Sequence, residues 1–242
     1  MKGLTLNLKT IFLILPSIFV VQTASPQVLI SILLGDKLNS DNLEFGIDGG
    51  FNRSYLSGIA EAKGMNHFHL GFYFDIRLKN EWFINTGVRV KSNVGAENIN
   101  PYPLDNEELD SVFSDSHITR NIGYFYVPIH VKYKFCKQFF INAGIQAGLR
   151  NKAQDQFINS YYDKNDVVFK NDIKNRIKRL DFGLSGGLGY KFQGNGMNLG
   201  FTYYYGLVNI DKLVEQKSNN STFYLYMDIP IGAGYKEAKQ QN

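Results

Sequence analysis

Cysteine is nearly absent from this 242-residue chain, where Cys136 stands alone. One thiol excludes a disulfide framework and a cysteine-rich zinc site. Proline is scarce at 6 residues, and tryptophan occurs once. Charge of either sign is thin. The net charge of +4 falls to +2 once Lys2 and Lys9 are set aside, too little to argue for a nucleic-acid partner. Long apolar runs are missing as well. Beyond the N-terminus no stretch approaches the roughly 18 apolar residues that a membrane-spanning helix requires, so any membrane role falls to strands. What the chain does contain is aromatic and glycine: 19 Phe, 15 Tyr and 23 Gly. Such aromatic content is too high for a disordered chain. Glycine at about 1 kcal/mol per helix-interior position argues against long helices and coiled coils. A single all-β domain fits the length.

The N-terminus reads as an export address. Lys2 and Lys9 flank the start of an apolar run, Ile11 to Val21, and the small residues Thr23-Ala24-Ser25 follow. This is the layout of a secretory signal peptide over residues 1–25, and the run is too short for roughly 30 Å of hydrocarbon. No cysteine follows to take a lipid. Residues 26–43 contain the apolar stretch Val28 to Leu34, read either as a short periplasmic helix or as part of a late-cleaved leader.

From Glu44 onward one pattern recurs eight times: strict apolar–polar alternation, the period of a strand with two unlike faces. In the clearest case Phe68, Leu70, Phe72, Phe74, Ile76 and Leu78 share one face, while His67, His69, Tyr73, Asp75, Arg77 and Lys79 share the other. The remaining segments are Glu44–Tyr55, Glu81–Lys91, Arg120–Phe135, Gln138–Arg150, Lys178–Phe192, Met197–Val208 and Thr222–Lys236. Tight links (Lys79-Asn80-Glu81, Cys136-Lys137, Gln193 to Gly196) alternate with long ones (Leu56–Asn66, Ser92–Thr119, Asn151–Ile177, Asn209–Ser221). The expected fold is all-β: an eight-stranded antiparallel transmembrane up-and-down β-barrel over residues 44–236, with short periplasmic turns, long extracellular loops and a C-terminal tail at 237–242.

Alternation alone leaves open which face is inside, because a lipocalin has the same strand count with the apolar face inward. Glycine decides. Gly46, Gly50, Gly71, Gly87, Gly144, Gly148, Gly183, Gly187, Gly189 and Gly200 all fall on polar faces, whereas only Gly49 and Gly186 fall on apolar ones. The interior of an eight-stranded barrel is just wide enough for side chains, so glycine belongs on the crowded wall. The polar face is therefore the lumen and the apolar face meets lipid. Trp82, Tyr133, Phe135, Phe139, Tyr190, Phe192 and Tyr235 gather near the short-turn ends, as in an interfacial aromatic girdle.

The run Tyr126 to Phe135 (YVPIHVKYKF), with Asn142-Ala143-Gly144, Asp181 to Tyr190 (DFGLSGGLGY) and Tyr205 to Ile210 (YGLVNI), resembles the PorT-like outer-membrane β-barrel proteins of the Bacteroidetes, as does Leu43 to Gly50 at the first strand. The resemblance covers roughly residues 28–236. It implies architecture rather than activity, with a link to protein secretion in one member. Tyr235 is followed by 236–242, so an aromatic of the kind that insertion machinery reads is not terminal here.

Residues that could carry chemistry are few. Glu44, Asp48, Asp75, Glu81, Asp181 and Asp228 face the interior with Arg77, Arg89, Lys132, Lys134, Arg150, Arg179 and Lys191. In a narrow interior they are expected to pair and plug the barrel. Ser54, Ser57, His67 and His69 lie near one end, yet no acid in register orients a histidine as nucleophilic catalysis requires. His67, His69 and His130 offer a metal-binding alternative, but three isolated histidines are a weak signal for it. The loop Ser92–Thr119 carries Glu97, Asp105, Glu107, Glu108, Asp110 and Asp115 without the spacing of a Ca²⁺ loop. The loop Asn151–Ile177 contains Tyr161-Tyr162, an exposed pair suited to a partner. No catalytic, cofactor or metal residue is assigned. The expectation is a monomeric, non-enzymatic outer-membrane protein without an open pore, structural, surface-binding or secretion-associated, with membrane lipids and a surface or secretion protein as partners. The competing readings are a lipid hydrolase or acyltransferase, and a narrow ion channel.

Overall fold

A computed structural model describes residues 42–160, 166–194, 196–213 and 217–231. The expected signal peptide, most of the 26–43 segment, Tyr161-Tyr162, Tyr235 and the 237–242 tail lie outside the described residues. Among the described residues there are nine strands: β1 (Leu43–Leu56), β2 (Lys63–Lys79), β3 (Trp82–Ile99), β4 (His117–Lys134), β5 (Phe139–Ser160), β6 (Asp166–Asp172), β7 (Leu180–Lys191), β8 (Asn198–Gly206) and β9 (Asn220–Pro230). One helix, α1 (Glu107–Phe113), sits between β3 and β4. All pairings are antiparallel. The order β4-β3-β2-β1-β9-β8-β7-β5 is closed by β4 pairing with β5, so these eight strands form a ring and β6 adds only to β5.

The tight turns are where the sequence places them. Lys79 pairs with Trp82 around Asn80, whose φ of 52° suits a residue that tolerates the left-handed region. Gly194 and Gly196 adopt φ of 90° and 67° between β7 and β8. At the opposite end the expected long links carry regular structure of their own. β3 and β4 continue past the expected strand ends to Ile99 and from His117, α1 fills the gap, and β5 and β6 build a hairpin inside Asn151–Ile177.

The faces divide as expected. Phe51 is 69 % exposed and Leu188 60 %, with Phe68, Phe125, Ile129, Ile141, Leu184 and Leu225 also outside; Asp48, Asp75, Arg89, Lys132, Tyr126 and Tyr226 are buried inside. Glycine shows why. Gly46, Gly148, Gly189 and Gly200 stand directly across from Tyr73, Tyr126, Phe140 and Tyr226. In each pair the ring lies over the glycine, in the space a Cβ would need. At Gly71, Gly144 and Gly187 a Cβ would instead overlap a carbonyl oxygen of the neighbouring strand, a close approach on the concave wall. Outer-wall Gly49 has its nearest neighbour, Leu70 Cδ1, at 3.4 Å. Gly144→Ala should therefore cost about 1–3 kcal/mol through overpacking. Gly49→Ala should be neutral or gain up to about 1 kcal/mol, by removing backbone freedom in a strand. Urea unfolding of both variants in lipid vesicles reads the difference.

The apolar outer face is a bounded band. On β4 and the residue that follows it, the band runs from Phe125 to Phe135, both about half exposed. Ten residue steps span about 33 Å along a strand, or about 25 Å at the tilt of such strands, the height of a lipid-facing band. Its lower edge carries aromatic contacts: Trp82 on Tyr133 at 4.6 Å, and a connected run of Phe135 on Phe139 at 6.2 Å, Phe139 on Tyr190 at 5.1 Å and Tyr190 on Phe192 at 5.2 Å. Above the band the two faces exchange character. Thr119, Asn121, Gln154 and Gln156 now point outward, while Val94, Ala96, Ile99, Ile118, Ile122, Ala153 and Phe157 pack inside with Phe113 of α1. The ring thus continues upward as a water-soluble sheet with its own apolar core.

Candidate functional site

The interior is a stack of ion pairs. At the base Lys191 Nζ lies 2.6 Å from Glu44, which also accepts from Tyr73 at 3.0 Å. Above it Lys132 Nζ meets Asp75 at 2.6 Å, with Asn85 donating to the same carboxylate at 2.7 Å and the Phe140 ring 4.0 Å from the ammonium. At mid-height Arg89 Nε donates to Asp48 at 2.8 Å and its Nη1 to Gln146 at 3.2 Å; the guanidinium lies over Tyr224. Higher still, Asp181 accepts from Tyr126 and Asn220, both at 2.9 Å. Asp228 accepts from Asn198 at 3.2 Å. Glu44, Asp48 and Asp75 thus each hold a cation and Asp181 a pair of donors, as a poorly hydrated interior demands. The void among Asp48, Arg89, His130, Asn142, Tyr226 and Asp228 is about 10 Å³, at most one water.

The expected charge ladder needs three corrections. Glu81, Arg77 and Arg179 are exposed at the rims rather than inside. Glu81 occupies the β2–β3 turn, where its carbonyl accepts from Lys134 N. Arg77 lies at the lower end of β2 over the Phe83 ring. Arg179 precedes β7 altogether.

The serines and histidines do not assemble as a nucleophilic site. Ser54 Oγ is tied to backbone, accepting from Gly95 N at 2.8 Å, and Ser57 Oγ accepts from Asn219 N at 2.9 Å. His69, expected to lack an acid, has one: its Nε2 is 3.4 Å from Asp48. Asp48 is already held by Arg89, so His69 completes the polar wall. His67 lies on the same face of β2. The closest Ser–His contact was not legible in sequence: His130 Nε2 and Ser185 Oγ are 2.6 Å apart, brought together from β4 and β7 across β5. Both are buried, and the other ring nitrogen of His130 has no hydrogen-bond partner to orient it.

The acidic loop is a helix start. Asn106 caps α1, accepting from Glu108 N and Leu109 N at 3.1 Å, and Glu107, Glu108 and Asp110 fill the first turn, where carboxylates complement the helix dipole. Asp110 accepts from Leu104 N at 2.7 Å. Glu97 stands across from Lys63.

A second charged group, missed by sequence reading, closes the upper end. Arg120, 1 % exposed, grips Asp155 with Nε at 2.8 Å and Nη2 at 2.7 Å, and its Nη1 reaches Asp211 at 2.8 Å. Arg176 adds a second guanidinium to Asp211 at 2.9 Å and lies over the Tyr102 ring. Two inward charges among apolar alternation, at Arg120 and Asp155, were the available signal. Burial alone would raise the Asp211 carboxyl. Hydrogen bonds from Arg176 and the Leu213 N–H, and the charge of Arg120, outweigh it and hold the group below its ordinary value. A depressed carboxylate stabilises the clamp above its unfolded titration range and loses that contribution as pH falls through the folded value. Protease nicking of the segments 173–178 and 207–213 should therefore be slow at neutral pH and rise on acidification, and Asp211→Asn should flatten the profile. Beside the clamp are two cavities: about 260 Å³ lined by Ile59, Ile99, Tyr102, Arg120 and Arg176, and about 240 Å³ lined by Pro101, Tyr102, Pro103, Asp110 and Phe113.

The sequence matches the family described as outer membrane protein beta-barrel domain over residues 35–212, most of the chain. The chain belongs to this family. It is an outer-membrane protein and resides in the cell outer membrane. Among solved structures it is similar to Ail, the attachment invasion locus protein of Yersinia pestis, in complex with the heparin analogue sucrose octasulfate (13 % identity, 78 % of this chain, 99 % of that chain, TM-score 0.44). It is also similar to Neisserial surface protein A (11 %, 78 %, 99 %, 0.37) and to OprG from Pseudomonas aeruginosa (13 %, 78 %, 93 %, 0.34). No curated protein matches the chain.

Proposed function

We propose that the protein is a monomeric eight-stranded transmembrane barrel with a sealed lumen, inserted with its tight turns in the periplasm and its capped end at the cell surface, where it acts as a membrane scaffold and surface-binding protein rather than as a pore or an enzyme. Ion pairing through the interior supports this reading: salt bridges stand at three levels, and the void at the Asp48–Arg89 level is about 10 Å³. Ion passage would require breaking buried pairs, each strongly destabilising once separated. Planar-bilayer recordings should show no stable conductance steps, and large regular steps would contradict the seal.

Surface binding is supported by the upper cavities around Tyr102, which stand above the lipid band. The PorT-like resemblance supports a secretion-associated protein partner for the same end. Cross-linking from that rim in intact cells, followed by isolation of the barrel, tests for such a partner. The lipid-modifying alternative would have to use His130 and Ser185, the close pair, but both sit inside the sealed wall away from lipid. An unchanged lipid A acyl pattern on gene deletion is expected, and an altered one would revive the enzyme.

A further inference from the structure

Just above the apolar band, within three residues of its upper edge, every charged outward side chain on the described strands is a cation. Arg53 stands two residues above Phe51, Lys91 one above Val90 and Lys152 three above Leu149, across the bulge at Asn151; Arg179 adjoins Leu180, itself 65 % exposed. All four are exposed, and none has a carboxylate among the described ion pairs. The lumen is the opposite, its Arg89, Lys132 and Lys191 each holding an acid. The carboxylates higher on the outer face lie beside cations of their own: Glu97 is the register partner of Lys63, and Asp172 pairs with Lys174 at 3.2 Å. Arg53 is also pre-positioned by neutral groups. Its Nε donates to Tyr55 Oη at 2.7 Å and its Nη1 to Asn66 Oδ1 at 2.9 Å, leaving the rest of the guanidinium toward the headgroup level. Lys152 stands opposite Gly123, which has no side chain to cover it.

We propose that Arg53, Lys91, Lys152 and Arg179 form a cationic collar that binds the phosphate groups of phosphorylated lipid headgroups in the outer leaflet. Their height at the edge of the lipid band, the lack of acids among them and their free donors match anionic headgroups rather than a soluble protein. A guanidinium pre-set at Arg53 suits phosphate oxygens. The inference rests on the barrel reading above, with the capped end outward.

The test uses the protein purified from outer membranes and exchanged into phosphatidylcholine nanodiscs, with or without diphosphoryl lipid A. Each headgroup-level cation contributes roughly a fivefold preference for anionic lipid. Wild type should retain lipid A through washing and melt higher in its presence. The variant Arg53→Gln/Lys91→Gln/Lys152→Gln/Arg179→Gln should fold equally well in phosphatidylcholine yet retain at least about tenfold less lipid A. Equal retention by the variant overturns the collar. An equal thermal shift from inorganic phosphate alone overturns the assignment to lipid. Failure of the wild type to insert in either disc contradicts the barrel reading itself.

Discussion

Lys132→Met is expected to destabilise the folded barrel by about 3–5 kcal/mol, the largest effect of any single luminal change. Lys132 Nζ and Asp75 are 2.6 Å apart and essentially without solvent, so truncating the lysine strands a buried carboxylate. Asn85 would then be the remaining side-chain hydrogen-bond donor to it. The mechanism makes a second forecast that a packing account does not. Removing both charges, in Lys132→Met/Asp75→Leu, should recover most of the loss, because a buried pair repays little beyond its own desolvation. Unfolding in urea from lipid vesicles, followed by tryptophan fluorescence at Trp82, gives both numbers and their coupling. Similar losses in the single and double variants would show that Lys132 acts through its stem against Phe140 rather than through charge.

Ile129→Arg should cost about 2–4 kcal/mol, because Ile129 lies near the middle of the band and its side chain faces lipid. Asn121→Arg, on the same face of the same strand eight residues earlier, should fall within about 0.5 kcal/mol of wild type, as surface changes generally do. Both substitutions place a guanidinium on an outward position of β4. Only the medium differs, so the contrast measures where lipid ends.

That contrast also marks what was legible in the sequence. From Phe125 to Phe135 the apolar residues face out, and their alternation with Tyr126, His130 and Lys132 gives strand, face and register at once. The same strand continues upward with Ile118 and Ile122 inward and Thr119 and Asn121 outward. There the alternation is that of a water-soluble sheet, and the acidic content of Ser92–Thr119 made residues 117–119 read as loop, with the strand starting only at Arg120. Nothing local announces that the surrounding solvent has changed. β6 (DVVFKND) is short and pairs with one neighbour only, so it had no two-faced pattern to find.

The interior was legible as a class of residues and not as pairs. Paired luminal charges follow from charges on a narrow wall, but Glu44 finds Lys191 147 residues away, and ring closure decides the match. His130 meets Ser185 for the same reason. Exposed Arg77 and Arg179 show the converse error: alternation was extrapolated to strand ends, where a long side chain escapes to water. The glycines were the most informative single feature. Gly49 and Gly186 on the outer wall have room for a Cβ within ordinary or slightly tight contact, whereas Gly71, Gly144 and Gly200 do not.

The most direct test is a depth scan of β4. Single cysteines at Thr119, Asn121, Phe125, Val127, Ile129, Val131 and Tyr133, in a Cys136→Ser background, would be spin-labelled in vesicles and exposed to oxygen and to a water-soluble nickel chelate. Labels from Phe125 to Tyr133 should favour oxygen, with a maximum near Ile129, and labels at Thr119 and Asn121 should favour the chelate. Chelate access at Ile129 equal to that at Asn121 would mean that the greasy wall faces water, contradicting the account at its root.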